Sequence, residues 1–216
     1  MALLSAKVRY VQDGLTVPFI TAWEPERISV PQLIVRRNGH GPYLAYADEG
    51  PLDRDGNGVL WVRQGLARGR GKALFPQVHA FRQRRAMFDL WCQVCGGLTL
   101  EESDERQLYV LNSAKGVPIR EGECTTAPPV CFSCAPEAAM SCPKLRDDYV
   151  AAYATWNHPW GIAGILYDPR TLRVVGRGLT EIPFGDPRMR YLVAHRSVSV
   201  LSGITAVDLA GFTTAV

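Results

Sequence analysis

The chemistry this sequence offers is concentrated in two Cys-x-x-Cys pairs, Cys92 with Cys95 and Cys131 with Cys134. Two thiolates three positions apart in a tight turn can reach one ion, and two such pairs complete a tetrahedron. Gly96 and Gly97 follow the first pair, which suits the turn of a zinc knuckle. The spacing predicts a structural Zn2+ site with these four thiolates as ligands. Two other readings stay open: a disulfide pair or redox dithiol, and unliganded core cysteines. Disulfide frameworks belong to oxidising compartments. No export signal is visible, because the start is apolar only from Met1 to Ala6 before Lys7 intervenes. The expected localisation is therefore cytoplasmic.

Cys124 and Cys142 are left over once one four-thiolate site is filled. Cys131, Cys134 and Cys142 fit half of a six-cysteine, two-metal pattern. The other half does not fit, because 28 residues separate Cys95 from Cys124. Cys124 and Cys142 are thus extra metal ligands or ordinary buried thiols.

The remaining candidates are weaker. Residues 59–87 hold seven basic side chains and no acid, whereas residues 88–150 carry a net charge of −5. A phosphate-facing zinc finger should not be acidic, so any nucleic-acid contact falls on the basic stretch, with Arg82, Arg84 and Arg85 as its candidates. The bland alternative is a solvated face balancing its acidic neighbour; a protein-facing surface is the third. Asp53, Asp55 and Asn57, followed by Gly58 and Leu60, resemble the start of an EF-hand calcium loop. Gln64 stands where a bidentate Glu is needed, and a tight hairpin turn explains the same residues. The histidines His40, His79, His158 and His195 show no metal spacing. His158 or His195 could meet Cys124 as a Cys–His pair, since such pairs form in space rather than in sequence.

These side chains need elements to position them. Short runs rich in Val, Ile and aromatics predict strands at Lys7 to Val11, Val17 to Trp23, Gln32 to Arg37 and Val59 to Val62, punctuated by Pro and Gly. Residues 65–73 read as a flexible basic link. Pro76 through Trp91 reads as a helix, with Pro76 in its first turn and Val78, Phe81, Phe88 and Trp91 at helical steps. Leu98 to Leu100 and Leu108 to Leu111 suggest a hairpin. Pro136 and Glu137 suit the first turn of a helix that begins at the second Cys pair. Leu145 to Trp156 reads as a further helix. Gly161 to Tyr167 and Leu172 to Arg177 form a hairpin through Asp168, and Tyr191 to Leu201 and Ile204 to Leu209 close the chain in β character.

The segments WCQVCGG at 91–97 and PPVCFSCAPEAAMSCPKL at 128–145, with Tyr149 after them, resemble a group of small actinobacterial and phage-associated zinc-binding proteins. The ratio of 20 Arg to 4 Lys fits a GC-rich coding sequence. A basic helix feeding a CxxCG knuckle also resembles the start of HNH endonucleases. That resemblance implies a treble-clef scaffold, but residues 96–130 hold no His, and Asn112 is the one nearby Asn. The nuclease residues are missing, so the scaffold is carried over without the activity.

At 216 residues and 47 % apolar composition, the chain can build its own core. No run of about 18 apolar residues exists, so no membrane partner is expected. The expectation is an α+β protein: a β-rich part at 1–74, a helix and treble-clef-like zinc module at 75–150, and a β-containing part at 151–216. Its expected role is a non-catalytic, zinc-stabilised binding protein of phage or mobile-element type, with a protein or nucleic acid as partner. The rival is a metal-containing enzyme whose pocket uses His158, His195 or a free Cys. No phosphate loop, dinucleotide fingerprint or nucleophile elbow supports the rival.

Overall fold

A computed structural model describes residues 8–100, 105–113, 116–141, 145 and 148–209. The architecture is β-rich with two short helices. Two long strands form its axis, β12 (Tyr149–Tyr167) and β14 (Leu192–Val207), antiparallel along most of their length. Each is long enough to serve different neighbours at its two ends. The first half of β12 pairs with β10 (Gln107–Asn112), and its second half pairs with β13 (Val174–Pro183). Likewise β14 pairs in parallel with β7 (Leu60–Trp61) near its start and antiparallel with β11 (Glu123–Thr125) further along. Smaller pairs decorate this sheet. They are β1 (Tyr10–Gln12) with β2 (Leu15–Val17), β3 (Thr21–Trp23) with β9 (Ala73–Val78), β4 (Ile28–Ser29) with β8 (Arg63–Gln64), and β5 (Leu33–Asn38) with β6 (Gly41–Tyr46). Among the described residues no helix is long and apolar enough to cross a membrane.

Two apolar clusters occupy opposite stretches of the β12–β14 ribbon. One gathers Leu44, Tyr46, Leu60, Trp61, Ile162, Ile182 and Val193. The other surrounds the cysteines with Val94, Leu108, Val110, Val130, Ala139 and Ala151. β7 comes from the N-terminal third of the chain yet lies in the same sheet as the C-terminal strands.

Three sequence expectations give way here. The helix expected from Pro76 to Trp91 is a strand followed by a shorter helix, α1 (Ala80–Phe88). Pro76 falls where the β3–β9 register shifts, between the pairs Thr21–Val78 and Ala22–Leu74, and proline's missing N–H is tolerated at such an irregularity. His79 then caps α1 through its Nδ1, which accepts from the Arg82 N–H. The helix expected from Leu145 to Trp156 is the first half of β12 from Tyr149 onward. Three alanines there mimic a helix, but they lie on a strand buried on both faces, Ala151 in the cluster around the cysteines and Ala152 and Ala154 in a cluster with Tyr109, Ile119 and Leu201. The hairpin of Leu98–Leu100 with Leu108–Leu111 does not form. Leu98 makes a single bridge to Trp91, and β10 takes β12 as its partner.

The link at 65–73 is tied down. The Ala67 N–H donates to Glu26, the Gly65 carbonyl meets His79 Nε2, and the Arg68 guanidinium lies over the rings of Tyr10 and Phe19. The hairpin through Asp168 forms as expected, with the Asp168 carboxylate accepting from the Arg170 and Thr171 N–H groups.

Candidate metal centre

The first Cys pair sits on a closed knuckle. Trp91 bridges Leu98, the Cys92 N–H donates to the Gly97 carbonyl (2.6 Å), and the Gly96 N–H donates to the Cys92 carbonyl (2.8 Å). Gly96 has φ +73, and a Cβ there would lie 2.8 Å from the Phe19 ring. Glycine is needed twice over, for the left-handed turn and for the close approach. The knuckle is docked onto the N-terminal strands by Phe19 N–H to Val94 C=O (2.9 Å) and Ile20 N–H to Gln93 C=O (3.3 Å). It is docked onto the second pair by Gln93 N–H to Pro129 C=O (2.9 Å).

The second pair is delivered by a bridge between Val130 and Leu108 and then by a 3-10 turn, Phe132–Cys134. That turn runs straight into α2 (Ala135–Ser141), with Pro136 and Glu137 in its first turn, as the sequence predicts. The Sγ atoms of Cys92, Cys95, Cys131 and Cys134 all lie within 4.8 Å of one another. Cys92, Cys95 and Cys134 are buried and Cys131 is half-buried. The five described cysteines are all free of disulfides.

The donor set fits a tetrahedral divalent ion. Thiolates about 2.3 Å from a central ion define a tetrahedron with edges of about 3.8 Å. The Cys95–Cys131 Sγ separation is 3.8 Å. Four thiols at this distance cannot all ionise independently. Cys131 is driven far below the ordinary thiol range by hydrogen bonds from Cys134, Cys92 and Cys95, and Cys134 is driven up by the same contacts. A divalent cation removes this conflict by stabilising all four thiolates together.

Sequence reasoning missed what surrounds the cluster. Arg9 places one guanidinium nitrogen 3.2 Å from Cys134 Sγ and another 3.1 Å from the Glu137 carboxylate. The Thr16 hydroxyl also donates to Glu137. The pKa of Arg9 is raised, chiefly by Cys134, then by Glu137, Cys95 and Cys131. Arg9 lies more than a hundred positions before Cys134, and no local signal marks it.

The other candidates among the described residues are not brought into this site. Cys124 is exposed on β11, outside the cluster, and its thiol is pushed up by partial burial and by Glu181 and Glu123. Cys142 lies outside the described residues. His158 and Cys124 share one row and one face of the sheet, but both are paired opposite Val200, which stands between them. Two strand spacings separate them by about 9.5 Å, beyond the reach of a nucleophile–base hydrogen bond. His195 is the extra residue of a bulge in β14, because Ala163 pairs with Arg196 and Gly164 with Ala194. Its pKa is lowered to about 4 by burial and by Arg196, and its Nε2 is buried without a hydrogen-bond partner among the described residues. His158 stacks on the exposed Trp156 ring, centroids 6.0 Å apart.

The three arginines of α1 each have a partner within the fold. Arg82 is buried, with its guanidinium 2.6 and 2.8 Å from the two Glu26 oxygens and 2.7 Å from the Thr21 carbonyl. A side chain so enclosed has nothing to offer a phosphate. Arg84 lies over the Trp61 ring, and Arg85 pairs with Asp89 one turn on. In the EF-hand-like segment, Asp53 is bound by Arg63. Asp55 accepts from the Asn57 and Val59 N–H groups and from the Trp61 indole. That is a turn closed by its own side chains, as the hairpin reading has it.

No family model matches the chain, and neither a curated protein nor a solved structure is similar enough to match.

Proposed function

We propose that this chain is a non-catalytic binding protein whose fold is stabilised by one structural Zn2+ held by Cys92, Cys95, Cys131 and Cys134. The observation that carries the reading is the mutual proximity of four buried or half-buried thiols with one sulfur–sulfur distance at a tetrahedral edge. Closed four-thiolate sites leave no position for substrate and serve structure rather than catalysis. The ion would join the knuckle, the start of α2 and, through Arg9, the N-terminal strands. The order of knuckle, strand and Cys pair at a helix start supports a treble-clef-like module in which β12 replaces the second hairpin strand.

The enzyme reading is less well supported. His158 and Cys124 are separated by Val200, and no carboxylate pairs with His195 among the described residues. The partner is a protein or a nucleic acid, and the thiolate-rich centre suits a reducing, intracellular setting. The exposed Trp156–His158 stack offers a flat face to an aromatic side chain or a base.

Native mass spectrometry of the purified chain should find one zinc ion per molecule. Chelation should lower the unfolding temperature by about 10 °C or more, because metal binding at such sites is itself folding free energy. A metal-free chain with the same unfolding temperature would end this reading.

A further inference from the structure

Beside the metal centre lies a cleft of about 340 Å³, at the small end of the range for ligand sites. Its walls are mainly apolar, with Ile20, Phe75, Val78 and Val94 among them. Five polar residues line it; besides the buried Thr21, the other four divide into two kinds. Thr16 and Glu137 are bonded to each other, and Glu137 is further neutralised by Arg9. Gln93 and Arg196 make no side-chain hydrogen bond and no ion pair among the described residues.

Arg196 is the telling group. It projects from β14 opposite Ala163 and is half-buried. Burial depresses its pKa, and among the described residues no carboxylate counters that effect. Its neighbour His195 is held neutral near pH 7, so it adds no charge of either sign. The contrast is Arg82, more deeply enclosed but answered by Glu26 at 2.6 Å. A guanidinium withdrawn from water without a counter-charge is costly, and it persists where something else supplies the anion.

We propose that this cleft binds a small organic monocarboxylate, with its carboxylate on Arg196 and Gln93 and its apolar body along Ile20, Phe75, Val78 and Val94. The planar fork of one guanidinium matches the two oxygens of one carboxylate. A phosphate dianion would call for more than one cation. The apolar walls exclude a ligand that is polar throughout. This site stands apart from the identity of the metal, although Gln93 and Val94 belong to the knuckle and give the cleft a rigid wall.

The test is isothermal titration calorimetry on the chain as purified, with octanoate, octan-1-ol and octylamine as probes. Octanoate should bind with a dissociation constant of about 1 mM or lower, octan-1-ol about 10-fold or more weakly than octanoate, and octylamine without measurable heat. Arg196→Gln should bring octanoate down to the level of the alcohol. Val78→Phe fills the cleft without touching its charge and should weaken both ligands; it serves also if Arg196→Gln fails to fold. Octanoate binding no tighter than octan-1-ol, no octanoate binding at all, or full octanoate affinity in Val78→Phe would each overturn the proposal.

Discussion

Two buried clusters of ionisable groups hold this molecule together, and they are solved in opposite ways. Around Glu26 the chain supplies both signs of charge. Each Glu26 oxygen accepts from Arg82, and the Trp23 and Ala67 N–H groups complete the set. His79 lies 3.9 Å away, with its Nε2 at the Gly65 carbonyl. Hydrogen bonds from Arg82, Ala67 and Trp23 outweigh the burial that opposes them and hold the Glu26 carboxyl below its ordinary range. At the cysteines, four acidic groups of one kind converge, and among the described residues one cation is hydrogen-bonded to them, Arg9 at Cys134. A buried charge is tolerated when its partner comes from the same chain. Where the chain collects like groups and leaves them short of counter-charge, they lie close enough for one ion from outside to supply the missing partner.

Arg82→Ala leaves Glu26 buried without its cation and should cost about 3–5 kcal/mol, measured by urea unfolding. The metal content of the folded variant should stay that of the parent, because the Glu26 cluster is complete without the ion. A loss below about 1 kcal/mol would mean that the pair contributes little. A parallel loss of metal would mean that the two clusters are one unit.

A smaller effect sharpens the same contrast through pH. His195 is neutral in the fold, with its pKa lowered from 6.5 to about 4, first by burial and then by Arg196. Between those values the unfolded chain binds a proton that the folded chain refuses, so stability is present above pH 6.5 and is lost as pH falls toward 4. Acid also competes with metal for thiolates, so the informative quantity is a difference between variants. Thermal unfolding of His195→Gln should fall less steeply than that of the parent from pH 7 to pH 5. Equal slopes would show that His195 is solvated and carries no such linkage.

The thiol centre was legible in the sequence because ligand spacing is local. Two residues between cysteines, a glycine after the knuckle and Pro136–Glu137 at the helix start all report on one turn of chain. What failed was non-local. Arg82 reads as part of a basic stretch until Glu26, 56 positions earlier, is found against it. The start of β12 reads as a helix because its alanines show no alternation, and they show none because both faces of the strand are covered: Ala151 packs in the cysteine cluster, and Ala152 and Ala154 pack with Tyr109, Ile119 and Leu201. Pro76 is a good first-turn residue and an equally good residue at a strand irregularity, and only the partner strand decides between them. Arg9 and Arg196 carry no sequence signature, since their meaning depends on the cysteines and the cleft that the fold brings to them.

Zinc stoichiometry across single Cys→Ser variants tests whether these four thiols, and no others, hold one ion. Cys92→Ser, Cys95→Ser, Cys131→Ser and Cys134→Ser should each lose most of the metal and unfold at a lower temperature, because one missing thiolate opens the tetrahedron. Cys124→Ser, on its exposed strand, should keep about one zinc per chain and melt with the parent to within about 1 kcal/mol, and Cys142→Ser should likewise keep its metal. Zinc loss in Cys124→Ser or Cys142→Ser equal to that in Cys92→Ser, or a parent chain that folds without metal, would contradict the account.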